Sequence, residues 1–106
     1  MTTTHPIPTS FRLRRRKWLV MRAKQSAGGK YAGITASASK RIVLYDVARD
    51  RARTPQEQQK TFWHESTHAV LRTMNHALAG NEPFVTQFAL LLEELIRTAR
   101  FDEEAP

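Results

Sequence analysis

"TPQEQQKTFWHESTHAVLRTMNHAL" (residues 54–78) decides how this chain is read. Thr54, Pro55 and Glu57 stand at the N-cap, N1 and N3 positions of a helix. In that arrangement the threonine hydroxyl and the glutamate carboxylate each accept a backbone N–H of the other end of the box. Proline sits where a helix has no use for its missing N–H. A helix is predicted from here to about residue 75–78. "AGN" (79–81) breaks it, and Asn81 caps a second helix with Pro83 in its first turn. "FVTQFALLLEELIRTARF" (84–101) then carries Phe84, Phe88, Leu91, Leu92, Leu95 and Ile96 at helical spacing.

Upstream the pattern changes. The run Trp18, Leu19, Val20, Met21 suits a strand, and "ITASASKRIVLYDV" (34–47) reads as a β-hairpin rich in β-branched and aromatic residues. Between them "QSAGGKYAG" (25–33) is a loop broken by Gly28, Gly29 and Gly33. Its Gly-Gly-Lys lacks the glycine spacing and the following Ser/Thr of a phosphate loop. Residues 1–10 are rich in Thr, Pro and Ser without periodicity and read as a loose tail. The order is strands, helix, helix. The predicted class is α+β: a small antiparallel sheet of about three strands in the N-terminal half, packed on two C-terminal helices. Residues 11–106 form one domain behind the tail.

Bulk properties bound the function. A chain of 106 residues, 41% apolar, builds one modest core. It has no cysteine, so any metal site uses His, Asp and Glu. No apolar run approaches a membrane span, and "MTTTHPIPTS" has no secretory core. A soluble cytoplasmic protein without a membrane partner is expected. The formal charge is +7. "FRLRRRK" (11–17) concentrates Arg12, Arg14, Arg15, Arg16 and Lys17, a candidate contact for nucleic acid or an acidic partner. Only Phe11 and Trp18 accompany these cations, so a solvated strand edge is the plainer reading. The chain closes on the acidic "FDEEAP".

On a wheel of the first helix, Trp63, Val70, Leu71, Met74, Ala77 and Leu78 share one arc, the expected core face. His64 and His68 lie together at its edge, with Glu65 on the same side and further toward solvent. This is the His-Glu-x-x-His pattern. Two imidazoles four residues apart can reach one ion. Being neutral, they leave the ion most of its charge, which lowers the pKa of a bound water toward about 7. A carboxylate beside them can take that water's proton and return it to a leaving amine. A catalytic zinc takes three protein ligands and one open position. A metzincin would place Gly and His at positions held here by Leu71 and Met74, which excludes that class. His76 lies about 80° further round the wheel and is an awkward co-ligand. Glu82, opening the second helix, is better placed. Its plainer role is that of an acid favoured by a helix N-terminus. Glu93 and Glu94, about three turns on, read as solvated.

"HESTH" (64–68) followed by "NEPFVTQFALLL" (81–92) resembles the gluzincin metallopeptidases, and over residues 42–101 the chain looks like small phage and prophage-encoded metallopeptidases of minigluzincin type. The resemblance implies one Zn2+ per chain held by His64, His68 and Glu82, with Glu65 as general base and a peptide or protein as substrate. It implies a bacterial or phage-encoded cytoplasmic enzyme. It also implies a small sheet whose edge strand aligns an extended peptide; "RIVLYDV" (41–47) is the natural candidate for part of that sheet. Larger gluzincins carry an aspartate four residues after the ligand glutamate, where this chain has Thr86. The second hydrogen-bond partner of a histidine ligand is then a backbone carbonyl, Thr86, Gln87 or Asp46. Tyr45 and His76 are the stand-ins for the family's oxyanion-stabilising side chain.

Two other readings stand beside this one. The basic run makes the chain a nucleic-acid- or partner-binding module with a vestigial metal site. Alternatively zinc only fixes the two helices, with His5 or His76 as fourth ligand.

Overall fold

The computed structural model describes residues 7–101. The tail residues 1–6, with His5, and the acidic end at 102–106 lie outside the described residues.

β1 (Ser10–Leu13) and β2 (Arg16–Ala23) form a hairpin around the two-residue turn Arg14-Arg15, both residues at positive φ (49° and 68°). β3 (Gly33–Ala36) and β4 (Arg41–Tyr45) form the second hairpin. The strand order is β1-β2-β4-β3. The sheet thus has four strands rather than about three, and β4 runs parallel to β2. Burial explains the insertion. Ile42 and Leu44 are fully buried, so the most apolar strand takes a central place and leaves the edge to Gly33–Ala36. β5 (Val47–Ala48) and β6 (Arg51–Ala52) make a small separate hairpin. The boundary of the tail also moves. β1 begins at Ser10, Val20 N–H donates to the Thr9 carbonyl, and Ile7 packs on the core.

α1 (Pro55–Thr73) begins with the expected capping box, Thr54 and Glu57 each accepting the other's N–H. It ends sooner than residues 75–78. Asn75 takes a left-handed conformation (φ 54°), its N–H bonds to Arg72 O, and His76 N–H bonds to Leu71 O. That is a Schellman stop, for which Asn is the usual substitute for Gly. α2 (Glu82–Thr98) is capped by the Asn81 side chain, which accepts the Phe84 N–H. No helix among the described residues is long and apolar enough to cross a membrane.

Each helix buries only part of its expected face, Leu71 being buried on α1 as predicted. The core consists of Trp18, Ile42, Leu44, Phe62 and Ala69, with Trp63 half-buried beside it. The α1 face against the sheet is the row Gln58, Phe62, Glu65, Ala69. Val70, Met74 and Ala77 are exposed. Two polar residues are buried in that row because the sheet satisfies them: Gln58 Nε2 donates to Asp46 Oδ1 at 3.0 Å, and Thr35 meets Glu65. On α2 the buried residues are Val85, Ala89 and Glu93, while Phe88, Leu91 and Leu95 stay exposed. Glu82, Val85, Ala89 and Glu93 share one helical face. Turning Glu82 toward α1 therefore turns the other three inward and leaves the Phe88–Leu91–Leu95 stripe outside. Glu93 is buried and paired with Arg97 at 3.1 Å, not solvated; Glu94 is exposed.

Candidate metal centre

His64 and His68 project from the middle of α1 into a cleft of about 1010 Å³. The Asn81 cap starts α2 so that Glu82 reaches back to them. Its Oε2 lies 2.9 Å from His64 Nε2 and its Oε1 2.9 Å from His68 Nε2. The two rings stand 5.0 Å apart, nearly edge to face. Among the described residues these three form a group able to hold a metal ion, one ligand atom from each and all within 4.8 Å of one another.

The tautomer of His68 bears on what the group is for. Its Nδ1 is 2.7 Å from the Ala79 carbonyl. A carbonyl only accepts, so Nδ1 carries the proton. In the neutral ring Nε2 then offers a lone pair, aimed at the lone pairs of Glu82 Oε1. Two lone pairs at hydrogen-bond distance require a cation between them, either a proton or a metal ion. A buried histidine with its far nitrogen tied to a carbonyl is also how proteins orient a metal ligand. The donor set of two imidazoles and a carboxylate suits zinc and several other divalent ions. The Schellman stop at Asn75 makes this possible, because it turns the chain early enough for the 77–80 turn to place Ala79 beside His68.

Glu65 is buried rather than turned toward solvent. Thr35 Oγ1 on β3 donates to its Oε1 at 2.6 Å, with the Glu65 carbonyl at 2.9 Å as the alternative acceptor of the same proton. This leaves Oε2 as the free carboxylate oxygen. The helix approaches β3 closely at Gly33. A Cβ there would stand 2.6 Å from Thr61 Cγ2, 3.1 Å from Val43 O and 3.3 Å from Glu65 Cγ. His64, Glu65, His68, Glu82, Thr35 and Gly33 all line the same cleft.

No family model matches this chain, and no curated protein or solved structure does.

The remaining sequence candidates divide. Thr86 lines the cleft, yet the Ala79 carbonyl takes the place beside His68. Asp46 is occupied by Gln58 and faces Arg22 at 3.9 Å, and Gln87 is exposed outside the cleft lining. Tyr45 and His76 do not line the cleft. Tyr45 sits on the central strand β4, and His76 Nδ1 accepts the Leu78 N–H at 3.0 Å. Tyr31, which sequence reasoning passed over, does line it. So do Lys60 and Arg72, whose spacing of four residues on either side of the histidines was visible in the sequence. Arg12, Arg14, Arg15, Arg16 and Lys17 are all exposed on the β1–β2 hairpin, at the sheet edge opposite β3. Phe11 stacks on the buried Trp18 at 5.9 Å, so the aromatics beside the run belong to the core.

Proposed function

We propose that this protein is a zinc-dependent metallopeptidase with a gluzincin-like site: His64, His68 and Glu82 as ligands and Glu65 as general base. The observation that carries the reading is the meeting of both Nε2 atoms with one carboxylate while His68 Nδ1 is fixed on a carbonyl. A zinc ion held by these three residues would supply Lewis acidity to the peptide carbonyl and to the attacking water. Glu65 takes a proton from the attacking water at Oε2 and delivers it to the departing amine. Thr35 holds the other oxygen, so the carboxylate keeps one orientation through both transfers. β3 is an edge strand of the sheet. Since Tyr45 N–H pairs with Ala32 O, alternation turns Gly33 and Thr35 away from β4. Arg72 occupies the Thr35 carbonyl at 3.2 Å, which leaves the Gly33 groups to align an extended substrate by strand addition.

Metal content and peptide cleavage, measured together, test this. The protein should bind one zinc per chain, and His68→Ala and Glu82→Gln should lose it. Glu65→Gln should keep the metal and lose hydrolysis. Cleavage by Glu65→Gln at the parent's rate would remove the proposed base.

A basic binding module is the second reading, carried by the five exposed cations of the β1–β2 hairpin. It expects duplex DNA binding at low ionic strength that falls steeply with added salt. The structural-zinc reading needs a fourth protein ligand, and among the described residues the group has three.

A further inference from the structure

Charge in the cleft is unevenly distributed. Lys60, His64, His68 and Arg72 stand at intervals of four along α1 and make one row. The histidines of the proposed centre are thus flanked by a cation at each end. Arg72 is anchored on Thr35 O and Ser37 Oγ. The Lys60 end is different. Lys30 and Arg49 reach the cleft from two loops held together by Arg49 N–H donating to the Gly29 carbonyl at 2.7 Å. Lys30, Arg49 and Lys60 are exposed.

Nearby acids are otherwise engaged. Arg51 pairs with Glu57, and Arg53 donates to Glu57 O and Thr61 Oγ1. Asp46 takes Gln58, and Asp50 does not line the cleft. The two carboxylates that do line it, Glu65 and Glu82, are committed to the site. A concave surface lined mainly by one sign of charge concentrates its field on whatever enters.

We propose that the cleft selects an acidic peptide, with Asp or Glu side chains of the substrate set against Lys30, Arg49 and Lys60 on the side of the cleaved bond nearest the start of α1. The cleavage part of this rests on the metallopeptidase reading; the selection of acidic chains rests on the cleft alone. A peptide fits better than a nucleic acid because the same cleft holds the free backbone groups of Gly33. Besides the histidines, its lining offers one aromatic ring, Tyr31, whereas a nucleotide strand needs successive stacking surfaces.

The test uses the zinc-loaded protein and three fluorescent probes: a peptide of alternating Ala and Glu, its Ala and Lys counterpart, and an oligothymidylate. Anisotropy reports binding, and mass spectrometry of the same mixtures reports cleavage. The Glu peptide should bind about tenfold tighter than the Lys peptide. Lys60→Glu and Arg49→Glu should each weaken it several-fold, with a shallower salt dependence. Both positions are exposed, and circular dichroism checks that each variant is folded. Equal affinity for the two peptides, or unchanged affinity in both variants, overturns the proposal. So does an oligothymidylate that binds more tightly than the Glu peptide and is lost in the same variants. A Glu peptide that is bound selectively but left intact upholds the selection of acidic chains and removes the peptidase reading instead.

Discussion

At the scale of single residues, the site depends on who satisfies the buried polar atoms. Glu65 is buried in a small core and keeps one orientation because Thr35 donates to it. Thr35→Val keeps the volume and removes the donor. We expect zinc content and KM to hold while kcat falls roughly tenfold or more, with Thr35→Ser restoring most of it; steady-state kinetics on zinc-loaded protein decides. Glu57 gives a prediction of another kind. Its carboxyl is lowered from the ordinary 4.5 to about 2, first by the hydrogen bond from Arg51 and then by the Thr54 N–H. A carboxyl depressed in the folded state adds stability above its unfolded pKa and loses it as pH falls through the folded one. Glu57 should therefore contribute in full above pH 4.5 and fade toward about pH 2. Acid-unfolding curves of Glu57→Gln should be flatter than the parent's over that window.

Elements were legible where local chemistry alone sets them. The capping box at Thr54 and the Asn81 cap stand as read, and together they fix where His64, His68 and Glu82 fall. Two things were not fully legible. Strand order depends on which strand the core buries most, which needs Ile42 and Leu44 weighed against partners distant in sequence. The inward faces of the helices were legible only in part: Leu71 is buried as its periodicity predicts, while Glu65, expected toward solvent, lies inside because Thr35 donates to it. The close approach of α1 to β3 yields a test. Gly33→Ala drives a methyl into Thr61 and toward the Val43 carbonyl. It should cost about 1–3 kcal/mol in denaturant unfolding and reduce activity beyond that, because Glu65 Cγ lies on the same contact. The β1–β2 turn predicts the opposite sign. Arg14 and Arg15 both occupy the left-handed region that such turns normally give to Asn-Gly. Arg15→Gly relieves strain and should stabilise the fold by about 1 kcal/mol.

For the molecule as a whole, the question is what holds α2 to the rest. The sheet and α1 share the core of Trp18, Ile42, Leu44, Phe62 and Ala69. α2 adds few buried residues, chiefly Val85 and Ala89, and leaves Phe88, Leu91 and Leu95 exposed. Its firmest polar tie to α1 is Glu82 on the two histidines. A domain this small has little stability to spare. An ion that takes one ligand from α2 and two from α1 therefore acts as a staple between them. Binding to the folded state alone at a hundred times Kd adds about 2.7 kcal/mol. Thermal unfolding should thus move upward with added zinc in the parent, and the shift should largely vanish in Glu82→Gln. Hydrogen exchange should localise the effect. Chelation should release amides of α2 well before those of β2 and β4, whose bonds lie within the sheet. Equal loss of protection in α2 and the central strands would mean that the helix is held by its apolar contacts, and that an ion bound by His64, His68 and Glu82 does not support the fold.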